Sequence, residues 1–432
     1  MICDNISAGA NGHLYFAGQD TVELAGRYGT PLYLMDEDKI REKCRIYLDA
    51  FRENFPEGSK PLYASKACSF KQIYRIMKEM GMGIDVVSPG EIYTAKSAGY
   101  DLSGAYFHGN NKTDSDIAFA MDCKVGYFVA DNLEEVAAIE RLAAQREQIQ
   151  DILIRITPGI DPHTYDEVST GKVDSKFGNA IETGQAALIT KETLACEHIR
   201  LIGFHCHVGS QVFGEDVFER TADVMLSFIK DMKEQFGYET QQLNLGGGYG
   251  VRYVETDEGL DITEKIRSVA REIKNVCAQL KISCPAILME PGRSIVADSG
   301  MTLYTVGSVK RIPEYKNYVS IDGGMTDNPR YALYKSKYSF YIANRMNEPA
   351  GLKATIAGRC CESGDLIGQD ALLSENTCRG DILAVSTTGA YNYSMASNYN
   401  RIGRPPVVML KEGDSYIAVQ RESFDDICRN DI

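Results

Sequence analysis

Nowhere do the 432 residues contain an apolar run approaching the roughly 20 that a membrane-crossing helix needs. The opening segment, MICDNISAGANGHLYFAGQD, lacks the basic stretch and apolar core of a secretory signal. From these two absences a soluble, cytoplasmic protein is expected. No Cys-x-x-Cys occurs among the twelve cysteines, which are scattered apart from the adjacent Cys360 and Cys361. A disulfide framework is therefore disfavoured, and reduced, mostly buried thiols are expected, with one of them reactive. Histidine is scarce at six residues, so no metal centre is expected. Basic charge is outweighed, 46 Lys and Arg against 60 Asp and Glu, for a net charge of -14. That argues against nucleic acid and anionic membrane as partners. It leaves an anionic small-molecule substrate open, because a few local arginines can dominate a pocket. Internal repeats and low-complexity segments are also lacking.

What is present is globular in proportion, 44% hydrophobic and 25% charged, enough for a large core. Between residues 36 and 288, short apolar runs alternate with stretches of helical period. The runs are KPLYAS, GIDVVS, AYFHG, VGYFVA, ILIRIT, LIGFHCH, QLNLGG and AILMEP. Eight strand–helix units predict an α/β fold, a (β/α)8 TIM-like barrel, with an open doubly wound sheet as the alternative. Residues 289–432 turn β-rich and predict a second, mostly β domain. Residues 1–35, also read as strands, are expected to join it, making that domain discontinuous.

Barrel enzymes gather their chemistry at the C-terminal ends of the strands. At those places stand Lys66, Asp85, His108, Arg155, His207, the run Gly246, Gly247 and Gly248, and Glu290. Glu290 is followed by Pro291, Gly292 and Arg293. Glycines after a strand let backbone N–H groups approach an anion, and phosphate commonly binds near a barrel's last two strands. A lysine at a strand end is expected to be desolvated and nucleophilic. Opposite a phosphate site it points to a Schiff base with a phosphorylated aldehyde, pyridoxal 5'-phosphate. His205 and His207, two apart, are read as sharing one strand face; an imidazole there can stack on a flat ring, with Ser210 reaching the phosphate. Glu290 discriminates most. A carboxylate beside the pyridine nitrogen keeps it protonated, and a protonated ring absorbs the electron pair left by decarboxylation.

Ten ordered segments run through nearly the whole chain: YASKA, DVVSPGE, FHGNNK, TGKVDSKFG, FHCHVGSQ, LNLGGGYG, EPGRS, DGGMTDNPR, CESGD and GAYNYSMASNYN. Together they resemble the fold-type III pyridoxal-phosphate decarboxylases of alanine racemase-like fold, and among them the diaminopimelate decarboxylases. The resemblance implies a homodimer with shared active sites that converts meso-2,6-diaminopimelate to L-lysine and CO2, the last step of lysine biosynthesis. It implies Lys66 as the Schiff-base lysine, His207 on the ring face, and Ser210, the glycine run and Gly292–Arg293 around the phosphate. Glu290 falls at the ring nitrogen. Arg293, Arg330 and Tyr334 fall at substrate positions. Cys361, as proton donor, and Glu362 come from the neighbouring subunit, and Tyr391 touches cofactor and substrate. Racemases of this architecture place arginine where Glu290 stands.

Two departures stand out. Pro329 precedes Arg330, with Tyr331 after it, where the family usually has proline following the arginine; Pro89 stands where glycine is common. The competing readings are a decarboxylase of the same fold acting on ornithine, lysine, arginine or carboxynorspermidine, and a non-catalytic pyridoxal-phosphate-binding protein. Against the latter stands the whole second domain with its Cys361–Glu362 segment.

Overall fold

The computed structural model describes residues 1–160, 175–214 and 216–432. Two compact units emerge. One holds Lys43–Gly250 and Leu260–Ser294, the other Met1–Glu42, Val251–Gly259 and Ile295–Ile432. A boundary at residue 288 therefore cuts into the end of the last barrel strand, and Glu290–Ser294 stay with the unit that carries that strand.

In the first unit, eight parallel strands among the described residues close on themselves. They are β1 (Lys60–Ala64), β2 (Gly83–Val86), β3 (Ala105–Phe107), β4 (Tyr127–Ala130), β5 (Gln150–Thr157), β6 (Ile199–His205), β7 (Gln242–Asn244) and β8 (Ala286–Met289). Each pairs with the next, and β8 pairs with β1. Helices alternate with the strands for local reasons. Lys71–Met80 buries Ile73, Tyr74, Ile76 and Met77 on one face and stops at Gly81 in the left-handed region. Pro89–Ser97 starts under the Ser88 side chain, which accepts the Glu91 N–H. Pro89 occupies the first helical turn. There its fixed φ is favourable and its missing N–H costs nothing, which accounts for proline at this position.

The barrel interior is layered. Leu62, Tyr106, Val129, Leu153, Ile202 and Leu288 form one apolar cluster. Each comes from a different strand, and burying such a side chain stabilises by about 1.5–3 kcal/mol. Side chains two residues apart on a strand share a face. The residues two beyond Tyr106, Val129, Leu153 and Leu288 are His108, Asp131, Arg155 and Glu290. Asn244 follows Gln242, which accepts a hydrogen bond from Tyr106 Oη at 2.9 Å, in the same way. A polar layer thus sits one step above an apolar one, at the strands' C-terminal ends.

The second unit is built on a sheet in the order Leu366–Ser374, Ala350–Ala357, Lys316–Ile321, Gly300–Ile312, Leu32–Asp36, Val407–Lys411 and Asp414–Val419. All five residues of Leu32–Asp36 are buried, between Gly300–Ile312 (antiparallel) and Val407–Lys411 (parallel). The N-terminal segment is not all strand as expected. Thr21–Tyr28 is a helix, because the Asp20 carboxylate caps the Val22 and Glu23 N–H groups and Leu24 and Ala25 turn inward. All twelve cysteines are free, but only Cys44, Cys68, Cys206 and Cys277 are buried, so most thiols are not interior as expected. No helix among the described residues is long and apolar enough to cross a membrane.

Candidate active site

Glu290 is the centre of the polar layer. Its Oε1 accepts from Asn244 Nδ2 at 2.7 Å and lies 2.9 Å from His108 Nε2, and its Oε2 lies 3.3 Å from His205 Nε2. Burial disfavours the charge, but the two imidazoles and their hydrogen bonds outweigh it and hold the carboxyl well below its usual range. His205 is held neutral, pushed down to about 4 chiefly by burial. Glu290 is therefore an anion hydrogen-bonded to Asn244 and His205 with the His108 imidazole close beside it, and a carboxylate with about four lone-pair positions still has room for a further donor. The grouping of His108, His205 and Glu290, whose donor atoms lie within 4.8 Å of one another, is accounted for by these contacts without a cation.

His205 reaches this layer because β6 slips register between Leu201 and Gly203. That bulge places His205, three residues after Ile202, where a regular strand would place the second residue. His205 and His207 do not share a strand face as expected, because β6 ends at His205 and His207 lies beyond it. His207 is partly accessible, and its enclosure, with the Lys66 ammonium nearby, keeps the imidazole neutral.

Lys66 lies in a short turn, Ser65–Ala67, just past β1. Ser65 and Ala67 are buried but Lys66 is accessible, so the expected desolvation is not found. Its ammonium acts on its surroundings instead, contributing to the electrostatics of Asp85, Glu91 and His207. Asp85 is fully enclosed, and burial followed by Glu290 pushes its carboxyl up to about 6. Arg155 faces the same layer, with Asp131 and Glu290 as its nearest acidic influences.

At the ends of β6 to β8, Arg293 donates from Nε and Nη2 to Ser210 Oγ at 3.2 and 3.1 Å. The glycine run between them is sterically required. A Cβ on Gly247 would lie 2.0 Å from the Glu290 carbonyl oxygen, and one on Gly292 2.8 Å from the Ala64 Cβ. The three glycines are not equivalent, however. The Gly246 N–H donates to Asn244 Oδ1 at 2.9 Å, so it holds Asn244 against Glu290. Pro291 serves through its carbonyl, which accepts the Ala64 N–H at 3.0 Å and fixes the turn before Gly292.

In the β-rich unit, Arg330 is buried and its guanidinium carbon lies 5.2 Å from the Tyr334 ring and 5.0 Å from the Tyr391 ring. Tyr391 holds a left-handed φ of 70°. The Pro329–Arg330–Tyr331 segment is the start of a short helix, Arg330–Tyr334, with Pro329 as its cap. Cys361 and Glu362 sit on a separate loop and are exposed within the single chain. The expected segment TGKVDSKFG begins at Thr170, and its first five residues lie outside the described residues.

Three residues of the barrel site are not evident from the sequence. Asn244 orients Glu290. Lys112 reaches the Gly109 carbonyl at 2.9 Å and Glu135 at 2.5 Å, which fixes the turn just after His108. For Asn244 a signal existed, a polar residue at the end of a strand immediately before the glycine run. For the Lys112–Glu135 pair none did, since the partners lie on different strand–helix units.

The family model described as the pyridoxal binding domain of pyridoxal-dependent decarboxylases matches residues 37–297. The chain is 45% identical over 422 residues to a diaminopimelate decarboxylase of Halalkalibacterium halodurans, covering 98% of this chain and 95% of that one. The chain belongs to the diaminopimelate decarboxylase family. A Bacillus subtilis diaminopimelate decarboxylase is 43% identical, covering 98% of this chain and 96% of its own. The crystal structure of a diaminopimelate decarboxylase from M. jannaschii, in co-complex with L-lysine, superposes with a TM-score of 0.91 at 33% identity over 99% of this chain and 98% of that one.

Members of this family of pyridoxal-dependent decarboxylases use pyridoxal phosphate, and the barrel residues fit it. Asp85 Oδ1 is buried without a hydrogen-bond partner among the described residues. A buried acceptor left in that state is costly, and a cationic or N–H group entering the site would satisfy it. The ionised Glu290 suits a protonated ring nitrogen, the neutral His207 suits a ring face, and Arg293 with Ser210 suits a phosphate.

Proposed function

We propose that the protein decarboxylates meso-2,6-diaminopimelate to L-lysine and CO2, with pyridoxal phosphate held at Lys66. The observation that carries this reading is the ionised Glu290, fixed by His108, His205 and Asn244 at the mouth of the barrel. When bound, the cofactor supplies an electron sink that works best with its ring nitrogen protonated. In this reading Lys66 holds the cofactor through its amine, and Ser210, Gly247, Gly248, Gly292 and Arg293 hold its phosphate. Gly246 supports them through Asn244 and Pro291 shapes the turn. Asp85 faces Lys66, His207 covers the ring, and Glu290 keeps a proton at the ring nitrogen.

The far end of the substrate decides specificity. Diaminopimelate carries a second amino-acid head, which needs a cation for its carboxylate and an anion for its ammonium. Arg330, buried beside Tyr334 and Tyr391, and Arg293 supply the first, and Glu362 the second. Cys361 delivers the proton to the carbon that lost CO2. Cys361 and Glu362 act from the neighbouring subunit, which makes the working form a homodimer with shared sites. The protein is cytoplasmic in this reading.

An amine-product assay across diaminopimelate, ornithine, lysine and arginine tests the substrate. Lysine formed from diaminopimelate, with the other three inert, is the expected result; diamine release from ornithine or lysine at comparable rates would assign another decarboxylase. Binding without CO2 release would make the protein a carrier. The attachment point is tested separately. The holoenzyme is expected to absorb at the violet edge of the visible range, and borohydride is expected to fix the cofactor on the peptide containing Lys66. Label on any other lysine would overturn the cofactor's placement.

A further inference from the structure

We propose that Asp365 is a positioning residue that ties the Cys361–Glu362 loop to the loop leading to Arg330, and so decides which of the two adjacent cysteines is the working thiol. The inference rests on the role proposed above for Cys361. Asp365 is 3% exposed. One carboxylate oxygen, Oδ1, accepts the Met325 N–H at 2.6 Å, and the other, Oδ2, accepts the Cys360 N–H at 2.7 Å. The two loops are thus joined through one side chain. Its backbone closes the turn as well, with the Gly358 N–H donating to the Asp365 carbonyl at 2.9 Å and the Asp365 N–H to the Glu362 carbonyl at 3.2 Å.

The packing around the carboxylate is specific to glycine. A Cβ on Gly358 would lie 2.2 Å from both carboxylate oxygens, and one on Gly324, whose φ is 150°, 2.4 Å from Oδ1. The backbone of both loops has therefore closed onto Asp365. Only an acceptor-only group of this size meets two N–H donors from opposite sides. An asparagine would turn its NH2 toward one of them, and that loop must let go.

The tie also separates the two thiols. Burial first, and then Asp365, push the Cys360 thiol up to about 12, which keeps it protonated and unreactive. Cys361, one residue on, points out of this enclosure and is exposed, with its N–H on Asn400 Oδ1 at 2.8 Å. The carboxylate that fixes the loop is the one that silences the neighbouring cysteine.

Site-resolved alkylation of the holoenzyme with iodoacetamide, read by fragment mass spectrometry, tests the proposal. In the wild type Cys361 is labelled and Cys360 is not. In Asp365→Asn the rate at Cys360 is expected to rise severalfold relative to Cys361, since loss of the carboxylate's charge and of its hold on the loop raises the thiolate fraction. The buried Cys44, Cys68 and Cys206 stay unlabelled, which separates a local effect from unfolding. Gly358→Ala, which displaces the carboxylate without changing its charge, is expected to do the same, and kcat falls in both. An unchanged Cys360 to Cys361 ratio in either folded variant overturns the proposal, as does labelling of the buried cysteines alongside Cys360 in both. If Cys361→Ser retains full activity, the role of Cys361 fails while the labelling ratio still decides whether Asp365 forms the tie.

Discussion

Lys66→Ala and Cys361→Ala proteins are each expected to be nearly inactive alone, and to recover about a quarter of wild-type activity when their subunits are allowed to exchange. Lys66 follows the first barrel strand, whereas Cys361 belongs to the β-rich unit and is exposed within its own chain. If a site combines Lys66 of one subunit with Cys361 of the other, a hybrid dimer has one site with both lesions and one with neither. Random exchange makes about half of the dimers hybrid, and each contributes one intact site of two. If instead a site is complete within one chain, every site in the mixture keeps a lesion and nothing returns. Differently tagged subunits establish that exchange took place. Proven exchange without recovered activity would place Cys361 in its own chain's site or remove it from the chemistry.

Glu290→Gln is expected to lower kcat by about 10²–10³, the loss typical of one preorganised electrostatic partner, while cofactor binding read by absorbance persists. The reason lies in Asn244 and the two imidazoles around the carboxylate. They hold Glu290 as an anion, and the anion in turn is what a protonated ring nitrogen requires. A glutamine keeps the volume and one acceptor oxygen but not the charge. Folding survives because His205 is neutral and can exchange its tautomer to accept the new N–H. Since Lys66, Ser210 and Arg293 are untouched, the variant separates holding the cofactor from using it. Near-normal kcat in Glu290→Gln would mean that the ring proton is secured elsewhere.

The barrel was legible because its strands advertise both period and end. Most of the apolar runs close on a polar or glycine residue, and period two carries Tyr106 to His108, Leu153 to Arg155 and Leu288 to Glu290. What was not legible depends on contacts between distant segments. The register slip at Leu201–Gly203, marked locally only by the glycine, moves His205 into the polar layer, while the strand's end at His205 leaves His207 beyond it. The accessibility of Lys66 follows from the turn after β1, which the run KPLYAS does not announce. Thr21–Tyr28 looked extended because its flanks are strands, and only the cap at Asp20 marks the helix. The cysteines misled in bulk, since composition cannot say which of twelve thiols face inward. Asp365 was visible as a letter of CESGD, but the two glycines pressed against it are known only from the backbone.

The Leu32–Asp36 strand has a further consequence for a chain made from its N-terminus. Both of its neighbours, Gly300–Ile312 and Val407–Lys411, lie far downstream. At about 5–20 residues per second of synthesis, the interval from Asp36 to Gly300 lasts roughly 13–50 s. Throughout it the strand has no partner on either side, while every strand of the barrel, from Lys60 to Met289, is completed. Five side chains buried in the finished sheet are thus held without strand partners until the whole barrel has been made.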